Sequence, residues 1–315
     1  MTVEAPAAVH RPDALPDIAP KRVERRSRRR STRWTGWLWV LPALGMYGTF
    51  VLVPVAQTIH FSFYDWDGIG PSTWVGLDNY AKVLTDPALF NSILHAFVLI
   101  LYFTVLPVGL GLVMAAVLRE MASGAFGTLA RTVLFLPQII PLAGAGIAWS
   151  WMYSSDGLIN QILRAIGLDS LAQPWLGGFD TALPAVGLIG TWVALGLCTV
   201  LLLAGIGKID VSLYEAARLD GAGLIREFFA VTLPGLRHEI VVCVTVTVIA
   251  ALASFDIIYV STSGGPGYQT MVPSVAIYRL AFTQQQVGLA SALAVTLAVL
   301  VVLVIAPIQR LGRQR

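Results

Sequence analysis

Seven stretches of this chain contain no Asp, Glu, Lys or Arg: 34–64, 87–118, 132–155, 181–207, 240–255, 257–278 and 280–309. Six of them are apolar enough and long enough to predict membrane helices, since a hydrocarbon core about 30 Å thick needs about 20 apolar residues in helical form. Trimmed to that length, the predicted spans are 37–59, 92–117, 132–153, 184–207, 239–260 and 287–308. The seventh stretch, 257–278, carries Ser261, Thr262, Ser263, Gly264, Gly265, Pro266, Gly267 and Gln269. A lipid-exposed backbone must satisfy its own hydrogen bonds, so this run predicts a loop. The expectation is an all-α polytopic membrane protein with six transmembrane helices.

Composition strengthens that picture. Of 315 residues, 56% are hydrophobic and 12% charged, and the mean hydropathy is +0.73, against about 25% charged in a soluble domain. The two cysteines, Cys198 and Cys243, fall in apolar runs and match no metal or redox spacing, which favours small buried hydrophobes. Residues 1–36 form a basic tail expected to be disordered. Residues 37–310 are expected to form the transmembrane domain and 311–315 a C-terminal end.

Charge fixes the expected orientation, because Lys and Arg stay on the cytoplasmic side. Eighteen of the 21 basic residues fall in the tail, the second-to-third connection (Arg119, Arg131), the fourth-to-fifth connection (Lys208, Arg218, Arg226, Arg237) and the C-terminus. Lys82, Arg164 and Arg279 remain for the other side. Both termini are therefore expected inside, with loops 60–91, 154–183 and 261–286 outside. The run Arg25 to Arg33 suits this topology rule rather than nucleic acid. The first apolar run lacks a small-residue cleavage pattern and is expected to be an uncleaved anchor.

Catalytic signatures are missing. Gly205-Ile206-Gly207-Lys208 lacks the upstream glycine and the hydroxyl of a phosphate-binding loop, and neither His-Glu-x-x-His nor Gly-x-Ser-x-Gly occurs. The histidines His10, His60, His95 and His238 are scattered, so no catalytic or metal site is expected. A secondary transporter needs intramembrane ionisable groups for coupling; among Asp, Glu, Lys and Arg only Asp256 falls in the interior of a predicted span, Glu239 standing at the first residue of the same one.

The long connection 211–234 predicts a helical hairpin. Ser212 with Glu215 reads as a capping box, Gly221 as the left-handed residue that stops a helix, and Leu224, Ile225, Phe228 and Phe229 as an apolar stripe. Pro234 is expected to end the second helix.

Glu215-Ala216-Ala217, three residues, Gly221, nine residues, then Val231-x-Leu233-Pro234 resembles the EAA motif of ABC importer permeases. Further similarity lies in Val75-Gly76-Leu77-Asp78-Asn79-Tyr80, in Leu136-Pro137 through Pro141 to Trp149, and in Phe255-Asp256 through Tyr259 to Gly264-Gly265-Pro266-Gly267 and Thr270. These resemble carbohydrate-uptake permeases, of the subunit type related to the maltose permease F and glycerol-phosphate permease A proteins. Val231 stands where that family often has isoleucine.

The resemblance implies a type I importer permease fold in a bacterial or archaeal cytoplasmic membrane. Its implied partners are a second, non-identical permease, two copies of a cytoplasmic ATPase, an extracytoplasmic solute-binding protein and membrane lipid, without nucleic acid. The chain would bind no cofactor of its own; ATP and Mg would be used by the partner ATPase. Glu215, Ala216, Ala217, Arg218, Asp220, Gly221, Leu233 and Pro234 would couple to that ATPase. Asp256, Tyr259, Trp149 and Trp192 are expected along the solute path, the tryptophans near helix ends. Asp256 is placed four residues from the outer end of its span, facing the partner permease. Gly264, Gly265, Pro266 and Gly267 are candidates for contact with the binding protein. The solute would be a sugar, oligosaccharide or polyol, with glycerol 3-phosphate as the alternative; a polytopic membrane enzyme or a secondary transporter is more remote.

Overall fold

The computed structural model describes Thr2, residues 33–120 and residues 125–313. Apart from Thr2, the basic tail through Thr32, with the expectation of disorder attached to it, lies outside the described residues, as do 121–124 and the last two residues; residues 33–36, counted with the tail from the sequence, open the first helix instead. The chain divides into two units, Met1–Leu52 and Val53–Arg315. In the first, helix α1 (Arg33–Tyr47) is followed by a π-helical turn, Gly48–Leu52, and side chains such as Trp39 and Phe50 are exposed.

The second unit starts with α2 (Val53–Phe61) and a two-stranded antiparallel hairpin, β1 (Tyr64–Asp65) and β2 (Thr73–Trp74), in the register Tyr64 with Trp74. A short helix, Asp78–Thr85, follows. Buried Asn79 on this helix donates to the carbonyls of Ser62 and Tyr64 at 3.0 and 2.9 Å, and the Tyr80 hydroxyl meets that of Ser62 at 2.6 Å. The Asp78-Asn79-Tyr80 segment therefore closes the loop back onto α2.

Helix α3 (Pro87–Arg119) begins at an Asp86 carboxylate that accepts from the N–H groups of Ala88 and Leu89, with Pro87 at the first position where its missing N–H costs nothing. Midway, a π-turn at Leu101–Val105 widens the hydrogen-bond ladder, and the Tyr102 carbonyl accepts the hydroxyl of Thr191 at 2.6 Å. Helices α4 (Ala125–Ile139) and α5 (Leu142–Met152) are bent by 100° to each other. The continuous helix expected over 132–153 is thus two helices. Pro141 takes an extended backbone (φ −56°, ψ 136°) and its ring disfavours helical geometry at Ile140.

Helix α6 (Ala182–Ile206) is the most buried of the long helices. Its glycines let neighbours approach to backbone distance: Gly187 and Gly190 face the Tyr102 and Phe103 side chains, and Gly196 faces the backbone of Leu134 and Phe135. Ala185, Val186 and Ile189 join Leu99, Ile257, Val275 and Leu293 in the main core. A second cluster, around Cys198, Leu202, Leu236 and Cys243, sits at the other end of α6, and both cysteines are free and buried.

A short helix, Leu158–Ala165, lies between α5 and α6, and after α6 come α7 (Val211–Leu219), α8 (Leu224–Gly235), α9 (Arg237–Leu252), α10 (Asp256–Ser261), α11 (Pro273–Tyr278) and α12 (Val287–Arg313). The helix expected over 239–260 stops at Leu252 and restarts at Asp256. Among the described residues, four helices are long and apolar enough to cross a membrane: Trp39–Phe61, α3, α6 and Val287–Arg310. The number rises to six if each bent pair, α4 with α5 and α8 with α9, is one span.

Candidate functional site

Helices α7 and α8 form the hairpin expected from the sequence, built differently at its cap and at Pro234. The cap of α7 is Asp210, whose carboxylate accepts the Ser212 N–H at 2.9 Å on an extended backbone. Ser212 already lies inside the helix, so the Ser212–Glu215 capping box does not form, and Glu215 is exposed. The hydrogen bond from Ser212 holds the Asp210 carboxyl below its usual range. At the other end, Gly221 has φ +76°, Ala222 N–H donates to Ala217 at 2.9 Å and Gly221 N–H to Arg218 at 3.0 Å. That is the paired termination a left-handed glycine permits.

Helix α8 carries a π-turn at Phe228–Thr232 and continues through Pro234 to Gly235; the 70° bend falls at Leu236. Pro234 does not end the helix, because the π-turn shifts the hydrogen-bond register and places the proline in the first turn of the segment that follows. The apolar stripe points outward. Leu219 is 89% exposed and Ile225 78%, with Leu224 and Phe229 also exposed and Phe228 half-buried. Ala216 and Asp220 share that exposed surface, whereas Ala217 and Leu233 are half-buried.

The interior of the hairpin is polar, and sequence reasoning did not single out its centre. Glu227 is buried, at 4% exposure. Its carboxylate accepts Arg218 Nε at 2.8 Å and Arg119 Nη1 at 3.3 Å. The Arg119 guanidinium lies 3.6 Å from the centre of the buried Tyr214 ring, and the Tyr214 hydroxyl meets Thr232 Oγ1 at 3.2 Å. The Arg218 hydrogen bond holds the Glu227 carboxyl below the usual range against the opposing effect of burial. One signal was legible: Arg218 and Glu227 are opposite charges that a tight turn at Gly221 brings face to face.

Away from the hairpin, Trp149 on α5 and Trp192 on α6 meet edge to face at 5.5 Å. With Tyr153, Trp175 and Leu195 they line a groove of about 540 Å³. Trp192 lies mid-helix rather than at the expected helix end, because α6 extends 14 residues beyond it. Buried Asn160 shapes the rim: it donates to the carbonyls of Ser154 and Gln173 and accepts from Trp175 Nε1 at 2.9 Å.

Tyr259 belongs to a second aromatic group, stacked on Phe255 at 4.9 Å and edge-on to Tyr278 at 5.1 Å. Asp256 is not inside a long helix. It opens the short helix α10 after the break at 253–255, is exposed, and its side chain forms no hydrogen bond or ion pair among the described residues. Of the glycine-rich turn, Gly264 is buried against Met271, Gly265 and Pro266 are half-buried, and Gly267 is exposed. Thr270 Oγ1 closes this turn by donating to the Gly265 carbonyl at 2.7 Å. Burial removes Gly264 from the surface expected to meet a binding protein.

Comparison with known proteins agrees with this architecture. Residues 107–313 match the family described as binding-protein-dependent transport system inner membrane component. The chain is 37% identical over 270 residues to a probable ABC transporter permease protein, YurN of Bacillus subtilis, covering 84% of this chain and 91% of that protein. It is 35% identical over 286 residues to the trehalose/maltose transport system permease protein MalF of Thermococcus litoralis, covering 89% and 94%. Among solved structures, a bacterial alginate ABC transporter in complex with an alginate pentasaccharide-bound periplasmic protein contains a chain that superposes with a TM-score of 0.76 at 21% identity, covering 89% of this chain and 94% of that one. At that identity the likeness establishes the type I permease fold. The extent of the family match and the level of identity to full-length permeases place this chain in the binding-protein-dependent transport system inner membrane component family.

Proposed function

We propose that this chain forms one half of the translocation path of an ATP-driven, binding-protein-dependent importer for a carbohydrate. The observation that carries the reading is the hairpin. A family member without a phosphate-binding loop presents Glu215 beside Leu219, Leu224, Ile225 and Phe229, all exposed, on a turn fixed by Gly221. Exposed apolar side chains grouped on one element mark a docking surface. Its occupant in this reading is one of two ATPase subunits that use ATP and Mg; the other meets a second, non-identical permease. Both termini and the hairpin then face the cytoplasm, in keeping with the 18 basic residues on that side.

The solute class follows from the groove between α5 and α6. The Trp149 and Trp192 rings offer apolar faces to sugar C–H groups, and the lining contains no Lys or Arg. A phosphate dianion needs such cations, so a neutral sugar, oligosaccharide or polyol fits better than glycerol 3-phosphate. The trehalose/maltose permease relative supports that choice. Asp256 and Tyr259 complete the path from the face that meets the second permease, and Gly267 with its loop meets the loaded binding protein. Closure of the ATPase dimer displaces the hairpin, and the permease pair opens alternately to the two sides.

The experiment is ATP hydrolysis by the reconstituted complex, with and without loaded binding protein, and with co-purified ATPase quantified. Gly221→Val forces a positive φ on a β-branched side chain, and Glu215→Ala removes the carboxylate that this surface offers to the ATPase. Both should insert normally yet lose stimulated hydrolysis or the ATPase itself. Wild-type stimulation and stoichiometry in both would refute the reading.

A further inference from the structure

The hairpin leaves the membrane helices through two short stalks, Gly207–Ile209 and Leu236, and a third connection bridges it to α3. Between α3 and α8 lies a hollow of about 220 Å³, walled by Ala116, Val117, Ile206, Leu224 and Phe228. Apolar packing across this gap is incomplete, so it does not fix the angle between hairpin and helix. The Glu227 carboxylate does span it. One oxygen meets Arg218 Nε on α7 at 2.8 Å, and the other meets Arg119 Nη1, at the end of α3, at 3.3 Å. The Tyr214 ring, 2% exposed, lies under the Arg119 guanidinium, whose edge makes that hydrogen bond. Charged hydrogen bonds are directional where apolar contact is not, and a buried carboxylate bound by two guanidiniums has few alternative arrangements.

We propose that Glu227 is a positioning residue that locks the hairpin to α3, so that displacement of the hairpin by the ATPase is passed to α3 as one rigid lever. The proposal rests on the coupling role assigned to the hairpin above, and it separates two tasks within it. The exposed apolar surface binds the ATPase; the buried carboxylate transmits its motion.

The test uses the assembled complex, with Cys198 and Cys243 replaced by alanine and nitroxide pairs at two sites. Ser212 with Val113 reports hairpin against α3, and Val113 with Leu303 reports α3 against α12. In the parent complex the first distance stays narrow and unchanged on trapping with ATP and vanadate, while the second shifts. Glu227→Gln keeps shape and removes charge. It should retain co-purified ATPase, broaden the first distance, and reduce the vanadate-driven population ratio of the second by about tenfold, the scale of a typical coupling free energy. The triple variant Arg119→Glu, Arg218→Glu, Glu227→Arg restores opposite charges and should recover the shift. Parent-like width and shift in Glu227→Gln would overturn the proposal. So would loss of the ATPase from Glu227→Gln, which would make it a docking residue, or an assembled triple variant that fails to recover the shift. A full shift in Gly221→Val and Glu215→Ala would instead refute hairpin coupling itself.

Discussion

Two glycines allow the packing of α6 to be tested by one substitution with opposite expected signs. A β-carbon at Gly196 would stand 2.9 Å from the Leu134 carbonyl carbon and 3.0 Å from Phe135 Cα, and closer still to the Leu134 oxygen. Carbon atoms prefer separations of about 3.5 to 4.0 Å, so α4 must retreat by about half an ångström or more. The obstacle is backbone and no rotamer change relieves it. Overpacking of this kind costs about 1 to 3 kcal/mol. At Gly109 on α3 an added β-carbon meets nothing within 4 Å, and replacing a helical glycine by alanine stabilises by about 1 kcal/mol. The same helical gain offsets part of the clash at Gly196, so at about 2 °C per kcal/mol for a long chain Gly196→Ala lowers the unfolding midpoint by up to about 4 °C and Gly109→Ala raises it by up to about 2 °C. The assay is thermal unfolding in detergent followed by tryptophan fluorescence at one scan rate. Equal shifts in the two variants, or a more stable Gly196→Ala, would show that the contact between α4 and α6 is looser than the geometry states.

The cap of α7 separates Asp210 from Ser212: Asp210→Ala destabilises the hairpin and sensitises it to limited proteolysis, while Ser212→Ala, which keeps the backbone N–H that Asp210 accepts, raises the digestion rate less. Orientation is tested by cysteines at Ser72, Gln173 and Ala230, all exposed; an impermeant thiol reagent applied to intact cells should label the first two and leave Ala230→Cys silent. Acid sensitivity follows from Glu227, whose carboxyl is held below its ordinary value of 4.5 by Arg218 and Arg119. A depressed carboxyl contributes stability above the ordinary value and loses it as pH falls through the depressed one. Unfolding midpoints of the wild-type protein should therefore drop below pH 4.5 more steeply than those of Glu227→Gln, and parallel curves would contradict the buried ion pair.

Gaps between charges located α3, α6 and α12 well, because a long run without charge has few folded options other than a buried or lipid-facing helix. They could not register where a helix breaks. The stretch 132–155 is equally uncharged on both sides of Pro141, and the restart at Asp256 follows three unremarkable residues, Ala253, Ser254 and Phe255. Gly221 was legible because its φ is a local demand. The cap was ambiguous, since Asp210 and Ser212 are both good capping residues two positions apart, and only backbone conformation decides between them. Glu227 was the least legible. Its burial depends on Arg119, 108 residues away, a partner that no local pattern announces. The tryptophans were named from their places near predicted helix ends, but the groove they line needs Asn160, whose hydrogen bonds set the rim.

The glycine contacts of α6 also bound how this subunit can diverge. Every single-base change that puts another amino acid in place of glycine introduces a β-carbon, so at Gly187, Gly190 and Gly196 each such step collides with Tyr102, Phe103 or the Leu134 backbone. Two sides of the helix are therefore closed to stepwise change. The remaining side carries Leu188, Trp192 and Leu195, and these line the groove beside Trp149. Variation on α6 is channelled toward this groove; under the function proposed above, a lineage could then acquire a new sugar preference while the packed sides of the helix stay fixed.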